Sequence, residues 1–196
     1  MQSDNGFIAN VIAIAASAGG FKPMIEIISG LPIDFPASVL VVQHTSPDYT
    51  NVLPEILSRH SSLKVKEAED GDKLSRATLY TAKSNRHLIV NSDWTVSLGS
   101  TERVHFVRPA ADVLFITMAI NCREKAIAVI LSGGGQDGAL GSLAVKLAGG
   151  KTIVQKDPEV PSMPEAAVKM HDVDFIVPLA EIAPLLINLV TKGRAI

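Results

Sequence analysis

The sequence predicts an α/β fold: a three-layer, doubly wound, mostly parallel sheet with helices on both faces and an antiparallel hairpin insertion. Three observations lead there. Short, wholly apolar runs rich in Val and Ile recur along the chain, as strands covered on both faces require. Between them lie longer segments whose apolar residues fall at helical spacing. Gly, Pro, Asn and Asp punctuate the joins. The 196 residues are 47% apolar and 19% charged, enough to bury one sizeable core and unlike a disordered chain.

The elements follow in order. Val11–Ala15 reads as the first strand, and Gly19-Gly20 then Pro23 open a helix that runs through Ile28 and stops near Gly30. Val39–Val42 is the second strand, ending at Gln43-His44 before a Thr45-Ser46-Pro47-Asp48 turn, and Asn51–Leu57 is helical. The middle breaks this rhythm. Leu79–Thr81, His87–Val90 and Thr95–Leu98 are short, are separated by polar turn residues, and read as antiparallel hairpins. The acidic stretch Glu67–Asp72 reads as a solvated loop. The alternation then resumes with a helix over Asp112–Cys122, a strand over Ala126–Leu131 and a helix over Asp137–Leu147. Strand Thr152–Val154, helix Pro164–Met170, strand Phe175–Val177 and helix Leu179–Val190 close the chain. Residues 1–10 read as a lead-in and 11–192 as one domain.

Composition excludes several functions. Lysine and arginine number 18 against 20 acids, a net charge of −2, so no basic block is present to displace counterions from nucleic acid. A single cysteine, Cys122, rules out an internal disulfide and a thiolate metal cluster. The opening residues are polar and acidic, unlike a signal peptide, and no apolar run is long enough to cross a bilayer. A cytoplasmic protein without membrane insertion is expected.

In open parallel sheets ligands bind beyond the carboxyl ends of the strands. Three such ends carry chemistry. The first bears Ser17 on a turn of small residues, Ala18, Gly19 and Gly20, ahead of a helix whose free N–H groups could hold an oxyanion or a phosphate. Helix capping by Ser17 is the plainer use. The second bears His44, placed to take a proton from a serine, although a lone histidine after four apolar residues is more often a satisfied core residue. The other histidines, His60, His87, His105 and His171, are less well placed. The third end, Leu131 to Gly138, spells G-x-G-x-x-G through Gly133, Gly135 and Gly138, with Asp157 beyond, so a dinucleotide-binding domain is a rival reading. Alternatively, Asp137 holds His44 through its Nδ1–H and completes a Ser–His–Asp set, or merely caps the following helix. Serine needs such help, because an unactivated hydroxyl is a poor nucleophile near neutral pH.

Five segments resemble a known family. Ile12–Gly20 is similar to I-x-I-G-A-S-T-G-G, and Val41–His44 with Pro47 and Thr50 to Q-H-M-P-P-x-F-T. Arg108–Phe115 resembles R-P-S-V-D-V-L-F, Leu131–Ala139 resembles L-T-G-M-G-x-D-G-A, and Met163-Pro164 with Ala166–Val168 resembles M-P-R-E-A-V. These are marks of the catalytic domain of chemotaxis protein-glutamate methylesterases, the CheB family, and they occur in family order from about Val11 to Val190. The resemblance implies a Ser17–His44–Asp137 triad, oxyanion or substrate contacts at Ala18, Gly19 and Gly134, and neither metal nor cofactor. It also implies hydrolysis of glutamyl methyl esters on methyl-accepting chemotaxis receptor helices, with deamidation of receptor glutamines as a second activity. Ala18, Gly134 and Glu165 depart from the family's threonine, methionine and arginine. The receiver domain usual in the family is not in this chain, so an uncovered site is expected, with other domains of a longer chemotaxis protein as further partners. A receptor-docking module without turnover, or an esterase for a smaller substrate, are the remaining alternatives.

Overall fold

The computed structural model describes residues 10–44 and 52–192. The Thr45–Asp48 turn, the Asn51 helix start, the Pro47 and Thr50 motif positions and most of the lead-in lie outside them.

Seven parallel strands form one sheet in the order β3-β4-β2-β1-β7-β8-β9. They are β1 (Val11–Ala16), β2 (Ser38–Gln43), β3 (Lys64–Glu67), β4 (Thr78–Thr81), β7 (Ala126–Ile130), β8 (Lys151–Gln155) and β9 (Phe175–Val177). The central strand β1 is wholly buried because both its faces are covered. Its alternation divides the core in two. Val11, Ala13 and Ala15 face helices α3 (Ala111–Cys122), α4 (Ala139–Leu147) and α5 (Ser162–Met170). Ile12, Ile14 and Ala16 face α1 (Phe21–Ser29), α2 (Leu53–His60) and α6 (Leu179–Lys192). The three-layer, doubly wound reading therefore holds.

A separate antiparallel hairpin, β5 (His87–Val90) with β6 (Val96–Gly99), packs Leu88, Val90 and Val96 into the α3 side of the core. This is the predicted insertion, but it is smaller than expected. Leu79–Thr81 belongs to β4, which pairs in parallel with β2 (Val39↔Leu79) and with β3 (Val65↔Leu79). Its four residues are all buried, as a sheet interior demands and a surface hairpin does not. The Glu67–Asp72 stretch is also more ordered than a solvated loop: Glu67 ends β3, Lys66 Nζ donates to Asp72 Oδ1 at 2.7 Å, and Asp70 Oδ1 accepts from the Leu98 amide at 2.7 Å. Among the described residues no helix is long and apolar enough to cross a membrane.

The chain leaves β1 toward β2 on one side and reaches β7 on the other. The sheet's topological switch point therefore lies between the carboxyl ends of β1 and β7, where an open α/β sheet offers its crevice.

Candidate active site

Ser17 follows β1 directly. Its amide donates to Ser132 O at 3.0 Å, and its carbonyl accepts from the Gly20 amide at 3.0 Å, which closes a tight turn. Gly19 has φ +71°, a conformation that favours glycine. Gly20 is the N-cap residue of α1 and no side chain caps that helix, so capping is not the use of Ser17. An added methyl at Gly20 would lie 2.5 Å from Ser132 O, so the two strand ends meet too closely there for any other residue.

His44 extends the neighbouring strand. Its amide donates to Ala16 O at 3.0 Å, while Gln43 Nε2 donates to Ser17 O at 3.1 Å. Ser17 and His44 thus stand side by side at adjacent strand ends. Among the described residues no hydrogen bond joins Ser17 Oγ to the His44 ring; such contacts commonly tighten when substrate binds.

The loop after β7 supplies the third group. His44 Nε2 lies 2.7 Å from Asp137 Oδ2. The imidazole nitrogen used is Nε2, which corrects the expectation of Nδ1 and leaves Nδ1 as the basic nitrogen. The Asp137 carboxylate also accepts from the Ala111 amide at 2.6 Å and the Asp112 amide at 3.0 Å. It caps a helix, but that helix is α3 and not the one that follows it in sequence; α4 starts at Ala139 after Gly138, φ +93°. Burial works against ionisation of Asp137, yet the His44 bond and the two amides outweigh it and hold the carboxyl below its ordinary value. Asp112 moves the other way. Burial first, and the nearby Asp137 charge, push its carboxyl up. The pKa values of two buried acids side by side are thereby pushed in opposite directions, Asp137 down and Asp112 up.

Five further residues, given no site role from the sequence, contribute. Asp112 Oδ1 accepts from the Gly141 amide at 2.7 Å, so α3 and α4 cap each other through Asp137 and Asp112. His105 Nε2 meets Asp112 Oδ2 at 2.9 Å, and Gln136 Nε2 donates to His105 Nδ1 at 3.3 Å. Buried Ser132 donates to Ala18 O at 2.9 Å and accepts from the Val160 amide at 2.9 Å, tying the Ser17 turn to the loop before α5. Gln155 Oε1 accepts from the Ser132 amide at 3.0 Å. Ser132, at the end of β7, and Gln155, the last residue of β8, could have been flagged by the carboxyl-end rule; His105 and the cross-capping carry no sequence signal.

The glycine loop is built for close approach. A methyl on Gly133 would meet Met163 Sδ at 2.2 Å and Ser17 Cβ at 2.9 Å, whereas one on Gly134 would meet nothing. Among the described residues the amides of Ala18, Gly19 and Gly134 donate to no protein acceptor. His105, Asp112 and Asp137 bring ligand-type atoms within 4.8 Å of one another, the sort of set that could hold a metal. Each of their carboxylate oxygens already accepts from His44, His105 or a backbone amide, so the hydrogen-bond network accounts for the cluster without one.

Residues 12–186 match the family model described as CheB methylesterase. The chain belongs to this family. A protein of Leptospira interrogans is 38% identical over 181 residues, covering 91% of the chain and 93% of that protein. The protein-glutamate methylesterase/protein-glutamine glutaminase of Sulfurimonas denitrificans is 38% identical over 189 residues, covering 94% of the chain but only 53% of that protein, so the chain spans about half its length. The crystal structure of the Thermotoga maritima CheB methylesterase catalytic domain superposes with a TM-score of 0.88 at 34% identity, over 92% of this chain and 98% of that one. Membership of the CheB methylesterase family displaces the dinucleotide reading: Gly133 is required by packing on Ser17 and Met163, and Gly138 is favoured by its φ of +93°.

Proposed function

We propose that residues 11–192 form a catalytic domain that hydrolyses glutamyl methyl esters on chemoreceptor helices in the cytoplasm, with Ser17 as nucleophile, His44 as general base and Asp137 as its orienting carboxylate. Family membership supports the reaction, and the relatives' names supply the substrate class. The observation that carries the residue assignment is the 2.7 Å His44–Asp137 bond beside the Ser17 turn.

Ser17 Oγ attacks the ester carbonyl carbon while His44 Nδ1 takes the hydroxyl proton. The lowered Asp137 carboxyl is ionised near neutral pH, fixes the proton on Nε2 and stabilises the imidazolium. The tetrahedral oxyanion is received by the amides of Ala18, Gly19 and Gly134. Collapse breaks the ester C–O bond, and the imidazolium returns its proton to the departing methoxide, releasing methanol. Water, deprotonated by Nδ1, then attacks the acyl-enzyme, which frees the glutamate side chain and restores Ser17. The same steps on a glutamine amide would release ammonia. In a longer protein, other domains would regulate access to this site.

The test is methanol release from methylated receptor helices by the natural chain and by Ser17→Ala. The nucleophile's loss should abolish turnover, with a thermal midpoint unchanged because among the described residues Ser17 Oγ makes no hydrogen bond and caps no helix. Release that survives Ser17→Ala removes the serine from the mechanism. No release from either protein moves the reading to a docking module.

A further inference from the structure

Beside the site, Val104 and Val107 pair through their backbones, Val104 N to Val107 O at 3.2 Å and Val107 N to Val104 O at 3.0 Å. The two residues at the tip, His105 and Phe106, have φ +50° and +65°. A two-residue tip with both φ values positive is normally filled by Asn-Gly or Gly-Gly, and a bulky residue there is strained. The turn is nonetheless anchored on both flanks. His105 bonds Asp112 and Gln136, the neighbours of Asp137, while Arg108 donates to Asn85 Oδ1, Ser100 O and Thr101 O. What this framework holds out is Phe106, 93% exposed. Other exposed apolar residues, such as Leu147 and Ile120, sit on ordinary helical backbone at the ends of α4 and α3 away from the site. Single apolar residues on a surface are ordinary; a phenylalanine fixed in water on strained backbone and tethered to the active-site network is not.

We infer that Phe106 is a docking residue for the protein substrate: its ring packs on an apolar side chain of the receptor helix, on the face that carries the esterified glutamate. This rests on the esterase reading above. A helix presents residues three and four apart on one face, so apolar side chains on the glutamate's face are offered to a ring beside the site. The bonds of His105 to Asp112 and Gln136 hold the tip beside the site, so the ring adds a contact that a helical ester can make and a small one cannot.

The experiment compares Ser17→Ala with Ser17→Ala/Phe106→Ala for binding to a soluble, methylated chemoreceptor cytoplasmic fragment. It also compares the natural chain with Phe106→Ala for kcat/KM on that fragment and on a glutamate γ-methyl ester. Removing a buried aromatic anchor should weaken fragment binding about tenfold or more. The kcat/KM on the fragment should fall about tenfold further than on the small ester, and Phe106→Leu should recover part of the loss. Fragment affinity unchanged by Phe106→Ala, or equal losses on the two esters, overturns the proposal. So does a fragment that fails to bind the Ser17→Ala protein. Failure of the natural chain to hydrolyse either ester refutes the esterase reading instead, while the binding comparison still decides the docking one.

Discussion

Asp137 has two duties that a single substitution can separate. Its carboxylate fixes the His44 tautomer through Nε2 and at the same time closes the N-terminus of α3 through the amides of Ala111 and Asp112. In Asp137→Asn one oxygen can still serve an α3 amide, but the amide nitrogen turned to His44 is a donor. The imidazole must then accept at Nε2 and carry its proton on Nδ1, the atom needed to deprotonate Ser17. Turnover should fall by about 10³- to 10⁴-fold with the fold retained, as wrong-tautomer variants of serine enzymes do. Asp137→Ala leaves both amides uncapped as well and should add a stability loss of about 1–3 kcal/mol. Ester turnover together with urea denaturation checks both; equal stability of the two variants would mean that the cap contributes nothing.

At the scale of elements, the loop after β7 shows why one glycine is replaceable and its neighbour is not. Gly133→Ala drives a methyl into Met163 Sδ and Ser17 Cβ, so the buried Met163 side chain, α5 or the Ser17 turn must shift. That overpacking should cost about 1–3 kcal/mol and most of the activity. Gly134→Ala meets open space and should stay within about 0.5 kcal/mol of the natural chain. Thermal midpoints and ester turnover of the pair decide it. Legibility in the sequence divides along the same line. The placement of Ser17, His44 and Asp137 at strand ends is readable because each ends or follows an apolar run, and runs like Val39–Val42 suit strands buried on both faces. Edge strand β3, Lys-Val-Lys-Glu, was not, since its charges suit a sheet edge and hide the strand. Strand β4 was mistaken for a hairpin arm because four residues of Thr-Leu-Tyr-Thr carry no sign of parallel pairing. The Asp112–Gly141 bond, the His105 contact and the choice of Nε2 depend on how α3 packs against α4, and no periodicity encodes that.

Across the whole molecule, a few aspartates tie separate elements together, and their titration should set the acid limit of the fold. Asp137 joins β2 to α3. Asp174, just before β9, binds Lys146 of α4 at 2.8 Å and the Thr152 amide and hydroxyl of β8 at 2.9 and 3.0 Å. Asp72 holds Lys66 of β3. In each case burial opposes ionisation but is outweighed, by the imidazole and two amides at Asp137, by the ammonium and Thr152 at Asp174, and by the ammonium and the Glu69 amide at Asp72. A carboxyl lowered by folding stabilises above its unfolded value, about 4, and that stability is lost as pH falls through the lower folded value. Asp112 is raised, so its ionised form costs stability that is recovered on acidification towards about pH 4, above the range where the others are lost. The urea midpoint should therefore be nearly level from pH 8 to 5 and drop below about pH 4. Asp174→Asn should make that drop shallower, because one lowered carboxyl is gone; Asp112→Asn should leave it unchanged, because the raised carboxyl takes up its proton above the unfolded value. A midpoint unaffected by acid, or a drop that Asp174→Asn leaves as steep as before, would show that these carboxyls do not govern acid unfolding.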